Sequence, residues 1–114
     1  MEIVELVTVG RKTRRRHSTM LTVPVIEGDA LVLVASKGGD DRDPDWLKNL
    51  IATPEIEVNW RGERLMMRAR LASDQETERL WPKVVASYRS YENYRRRAAR
   101  RIPLVICSPV KGTP

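Results

Sequence analysis

The chain has 114 residues and a formal net charge of +6, with 21 Lys and Arg against 15 Asp and Glu. That length suits one domain with a modest core, and a single cysteine, Cys107, with a single histidine, His17, excludes an intramolecular disulfide and a typical Cys/His zinc site. No stretch approaches the roughly 20 apolar residues that span a bilayer and the N-terminus lacks a basic-then-apolar signal pattern, so a cytoplasmic protein without an integral membrane segment is expected.

Residues Ile3 to Val9 are apolar and β-branched apart from Glu5 and Thr8, which predicts a first strand. The basic turn Gly10-Arg11-Lys12-Thr13-Arg14-Arg15-Arg16 follows, and Ser18 to Ile26 returns as a second strand. Glu27-Gly28-Asp29 is a hairpin signal, and the unbroken apolar run within Ala30 to Ser36 predicts a central strand covered on both faces. Next comes a polar glycine loop containing Lys37, Gly38 and Gly39. Asp43 before Pro44 reads as an N-cap followed by proline at the first helical position. The helix expected from Pro44 to Ala52 carries Trp46, Leu47, Leu50 and Ile51 on one apolar arc, with Asn49 at its edge.

Thr53-Pro54 stops that helix, and Ile56, Val58 and Trp60 alternate with Glu55, Glu57 and Asn59 in a half-buried strand. Arg61-Gly62-Glu63 turns the chain into a fifth strand with Leu65, Met67, Ala69 and Leu71 on one face. Ser73 and Glu76 match a capping box, so a helix should start at Asp74. Pro82 must kink or split it, giving one interrupted helical region that ends near Arg97. A last strand is expected from Ile102 to Cys107, within a single domain of residues 1–107, with 108–114 as a loose tail. Six strands in mostly antiparallel succession, with one short helix and one longer interrupted helical region, give a mainly β, α+β fold best built as a small barrel.

No nucleotide-binding P-loop or G-x-G-x-x-G fingerprint is present, and His17 beside Ser18 lacks a third group to make a hydrolase triad. What the residues offer is an anion site with a flat apolar neighbour. The Gly10 to Arg16 turn supplies backbone N–H groups and guanidinium forks, and Lys37 adds a cation beside a bare backbone. The two loops could equally be plain exposed turns. Tyr88, Tyr91 and Tyr94 share one helical arc, either as the wall of a pocket or as a packing seam.

GRKT at 10–13, TMLTVPV at 19–25, VASKGGDDRDPDWLKNL at 34–50, PEIEV at 54–58, LWP at 80–82, the three tyrosines and RRIPLVI at 100–106 together resemble the deazaflavin-dependent nitroreductase family of actinobacteria. The resemblance implies a split β-barrel that binds coenzyme F420, an 8-hydroxy-5-deazaflavin with a phosphate and an oligoglutamate tail. It further implies hydride transfer from the reduced coenzyme to a quinone, nitroaromatic or activated enone acceptor. By position, Gly10, Arg11, Lys12, Thr13 and His17 match the region of the phosphate and tail loop. Thr19, Met20, Leu21, Ala35, Ser36, Lys37, Gly38 and Gly39 match ring and side-chain contacts. Pro44, Trp46 and Asn49 match the segment that closes over the cofactor, and Tyr88, Tyr91 and Tyr94 match a substrate wall that could donate a proton. The chain departs from the family at Thr13-Arg14, where serine-glycine is common, at His17, where arginine is common, and at Met20, where proline is frequent. Only nine residues precede Gly10, so a more open pocket, or cover from a second subunit in a homodimer, is expected.

The alternatives are an FMN-binding or non-catalytic deazaflavin-binding barrel and, from another class, a basic nucleic-acid-binding barrel. The chain has no phenylalanine and its tyrosines fall on a predicted helix rather than on strands, which argues against base-stacking platforms and so against a nucleic-acid partner.

Overall fold

The curvature of the sheet follows from one proline. The computed structural model describes residues 2–35, 43–87, 89 and 102–110. Its strands are β1 (Glu2–Val9), β2 (Arg16–Val23), β3 (Val25–Glu27), β4 (Ala30–Val34), β5 (Glu55–Trp60), β6 (Glu63–Leu71) and β7 (Leu104–Pro109), and its helices are α1 (Asp45–Ala52) and α2 (Asp74–Ser87). All seven strands form one sheet in the order β2-β1-β5-β6-β7-β4-β3, and every pairing is antiparallel. The strands β2 and β3 therefore lie at opposite edges although only Pro24 separates them in the chain. The sheet has to curl until its two edges approach, and the result is a half-barrel.

The expected single strand from Ser18 to Ile26 is thus two strands, and the described residues form seven strands rather than six. Pro24 is the physical reason, since it has no N–H to continue a ladder. The two tight turns are as the sequence implies. Gly28 has φ +62°, and Arg61 and Gly62 have φ +52° and +77°, the left-handed pair that joins β5 to β6 in a two-residue hairpin. The last strand reaches Pro109, two residues into the stretch read as a tail, and Ser108 and Pro109 pair with Arg68 and Met67.

Alternation divides the strand residues between two cores. Val4, Leu6, Leu31, Leu33, Ile56, Val58, Met67 and Val105 face the inside of the curl, which Trp46, Leu47 and Leu50 of α1 plug. On the outer side Val25, Val32, Leu104 and Ile106 pack under Leu80, Trp81 and Val84 of α2. Strand β4 contributes to both clusters, as its unbroken apolar run predicts. The outer face of β1 and β5 is polar instead. There Glu57, only 7% exposed, accepts hydrogen bonds from Asn59, Arg64 and Arg16. These partners, Asn59 foremost, hold its carboxyl below the usual range.

Helix α1 starts one residue later than the sequence suggests. Pro44 occupies the capping position with extended geometry and no side-chain cap, ahead of the acid Asp45 in the first turn. The helix is also rotated from the expected arc: Asn49 is buried at 5% exposure, whereas Ile51 is 55% exposed. Helix α2 runs through Pro82 without a break as far as Ser87. The remainder of the helical region expected to end near Arg97 lies outside the described residues.

Candidate functional site

The turn after β1 is built around the absence of a side chain at Gly10. The Gly10 N–H donates to the Arg15 carbonyl at 2.7 Å, and the Arg14 N–H donates to the Gly10 carbonyl at 2.9 Å. Thr13 Oγ1 accepts the Arg15 N–H at 3.2 Å and lies 2.9 Å from His17 Nε2. A Cβ at Gly10 would stand 2.4 Å from Thr13 Oγ1 and 2.5 Å from His17 Nε2, so these two side chains close over the bare backbone. Arg14 takes φ +61° to complete the turn.

Arg11 is the next residue, and α1 fixes it. Asn49 Oδ1 accepts both the Arg11 backbone N–H at 3.2 Å and the Arg11 Nη1–H at 2.9 Å. Asn49 Nδ2 donates to the Thr8 hydroxyl at 3.4 Å, within the buried end of β1. Arg11 Nη2 also faces the Asp45 carboxylate at 3.6 Å, a loose pair whose acid is 83% exposed. Asn49 is buried because these polar partners await it, which is why the helix turns its Asn49 edge inward in place of Ile51.

Between this loop and α1 lies an open cleft of about 470 Å³. The loop side consists of Gly10, Arg11, Lys12, Thr13 and His17, with Ser18 and Thr19 from β2. The opposite side is Asp45, Trp46 and Asn49, with Thr8 at the back. Two cations, several hydroxyls and one indole therefore share a single cavity. Such a lining suits a ligand with an anionic end and a flat apolar part.

Eight of the residues singled out from the sequence are brought together here: Gly10, Arg11, Lys12, Thr13, His17, Thr19, Trp46 and Asn49. Four others fall elsewhere. Met20 pairs with Glu5 and is 65% exposed, Leu21 packs against the inner core, Ala35 is fully buried in that core, and Pro44 is buried ahead of α1. Ser36, Lys37, Gly38, Gly39, Tyr88, Tyr91 and Tyr94 lie outside the described residues. The cleft also includes Thr8, Ser18 and Asp45, which the sequence reading passed over. Thr8 carried a usable signal, since it keeps the inward parity of Val4 and Leu6 and so had to find a polar partner inside.

Other chemistries find no support in this geometry. Burial pushes the Cys107 thiol up to about 12, so it is no nucleophile near neutral pH. Among the described residues no cluster of three or more His, Cys, Asp or Glu could hold a metal ion, and no helix is long and apolar enough to cross a membrane.

The profile of the F420H(2)-dependent quinone reductase family matches residues 1–109. An F420H(2)-dependent quinone reductase of Mycobacterium tuberculosis is 40% identical over 102 residues, covering 87% of this chain and 68% of the relative. The solved structure of an F420-H2-dependent reductase, FDR-A, superposes with a TM-score of 0.84 at 32% identity and 94% coverage of both chains. A second solved structure, described as a domain-swapped dimer, gives a TM-score of 0.85 at 32% identity over 94% of this chain and 80% of its own.

Proposed function

Since this chain belongs to the F420H(2)-dependent quinone reductase family, we propose that the cleft between the 10–15 loop and α1 receives the anionic part of coenzyme F420. The chain is an enzyme of that reductase type, passing a hydride from the reduced coenzyme to a quinone. The observation that carries the site assignment is the meeting of Arg11 and Lys12 with the indole of Trp46 around one cavity. The donor set fits the group. Guanidinium and ammonium suit a phosphate and a glutamate tail, and Trp46, 8% exposed, borders the same cavity.

The bound coenzyme supplies the hydride chemistry, and the protein's work is binding, orientation and exclusion of water. Arg11, Lys12 and Thr13 are assigned to the phosphate and tail, with Gly10 and His17 shaping their loop. Thr19 with the 36–39 segment is assigned to the ring and its side chain, Trp46 borders the same cavity, and Asn49 holds Arg11. Tyr88, Tyr91 and Tyr94 are assigned to the acceptor side. A quinone that takes a hydride needs one proton to become a hydroquinone, and a phenol or solvent can provide it.

The test is titration of the purified protein with coenzyme F420 and, in parallel, with FMN and a short DNA duplex, followed by fluorescence at two salt concentrations. Binding of the deazaflavin alone at about micromolar Kd or tighter is expected. Binding of DNA alone, with affinity falling steeply in salt, would overturn the reading and make the basic charge of the 10–16 turn the functional feature.

A further inference from the structure

Asn49 is 5% exposed, and its amide is committed to the protein itself. Its one oxygen takes both ends of Arg11, backbone N–H and guanidinium, while its nitrogen is bonded to Thr8. A side chain so engaged acts on a ligand through Arg11. The acceptor is also neutral. A carboxylate at this position would hold Arg11 at least as firmly, yet would cancel the charge that an anion needs. Among the described residues the ionic partner of Arg11 is Asp45, at 3.6 Å and 83% exposed, and an exposed pair at that distance is worth little and yields readily to a better anion.

We propose that Asn49 is a positioning residue for anion recognition, fixing both the backbone and the guanidinium of Arg11 through an uncharged acceptor while Asp45 serves as an exchangeable counter-ion. This rests on the reading of the cleft as the coenzyme site. The Arg11 fork is held by Asn49, within the protein itself, so little side-chain freedom is lost when an anionic group displaces Asp45. The orientation of the amide is set by Arg11, whose N–H groups can only donate, and the Thr8 hydroxyl accepts from Asn49 Nδ2 on the far side.

The experiment compares the wild type with Asn49→Asp, Asn49→Ala and the double variant Asn49→Asp/Asp45→Asn. Kd for coenzyme F420 is measured by fluorescence, Kd for inorganic pyrophosphate by calorimetry, and KM and kcat with the reduced coenzyme. Asn49→Asp is nearly isosteric, and it is expected to raise Kd and KM for the coenzyme about tenfold, with the change falling on KM rather than on kcat. Pyrophosphate affinity should fall in parallel. The double variant has the wild-type local charge and should regain most of the loss, which a merely structural role for Asn49 would not produce. Asn49→Ala should weaken both ligands as well, and the double variant remains decisive if the alanine variant fails to fold. Unchanged affinities in Asn49→Asp, or a double variant no better than the single one, would overturn the proposal while leaving the cleft reading intact. If the wild type binds pyrophosphate but no deazaflavin, and pyrophosphate affinity follows the expected pattern, the cleft reading fails and the role of Asn49 stands.

Discussion

Gly10 shows how one missing methyl can shape a binding loop. Its backbone is not in the left-handed region, so the glycine is there for room, because Thr13 and His17 meet where a Cβ would stand. In Gly10→Ala that pair has to separate, and overpacking of this kind costs about 1–3 kcal/mol. The expected outcome is a lower melting temperature together with weaker coenzyme binding, since the neighbouring Arg11 and Lys12 are displaced with the loop. Wild-type stability and affinity in that variant would show the contact to be slack. At this scale the sequence was informative about residue types and less so about directions. The cations of the turn were legible as an anion site, whereas Trp46 and Asn49 were picked out by the family resemblance, spacing alone reading them as a core helix with a polar rim; the structure sets them around one cleft. Which side of α1 faces inward was not legible, because the decision lay with Arg11 and Thr8, 38 and 41 residues away in the chain.

Helix α2 was legible at its start. The capping box is made in both directions: the Glu76 N–H donates to Ser73 Oγ at 3.1 Å, and the Ser73 N–H donates to Glu76 Oε1 at 3.0 Å. Replacing Ser73 by alanine should cost about 1 kcal/mol in chemical denaturation. Two carboxylates fasten the same helix to the sheet. Arg70, with help from the Ser73 N–H, holds Glu76 at about 2, and Arg79 with Lys83 holds Glu27 at about 2, both from an ordinary 4.5. Each folded-state value lies below the unfolded one, so the stabilisation is complete above about pH 4.5 and is lost as the pH falls toward 2. Denaturation midpoints at pH 6, 4.5 and 2.5 should therefore fall mainly in the lower interval. The drop should shrink in Arg70→Gln, and because both sites are exposed it is a modest effect. Pro82 did not split the helix as it could have done. It is exposed, on the side of α2 away from Leu80, Trp81 and Val84, so its missing N–H leaves the packed face intact.

For the whole molecule, the α+β class and antiparallel pairing followed from strand periodicity and turn residues, while the order of strands did not. Nothing local announces that β1 pairs with β5, or that β7 inserts between β6 and β4. That insertion has a consequence in time. Until β7 arrives the sheet exists as two ladders, β2-β1-β5-β6 and β4-β3, with no strand pairing between them and joined in the chain through Pro24 and through the connection that carries α1. A chain emerging from the ribosome reaches residue 104 before either ladder can be joined to the other. Loop closure over that distance is slow compared with hairpin formation, so the rate-limiting event of folding is expected to be the docking of 104–109. Stopping the chain before Leu104 should leave hairpins without a cooperative thermal transition, whereas a sharp transition in that truncated chain would show that the ladders join without it. Two strand edges, those of β4 and β6, stay open to other chains until the end, and during synthesis they are where a growing polypeptide of this sequence most needs protection from its neighbours.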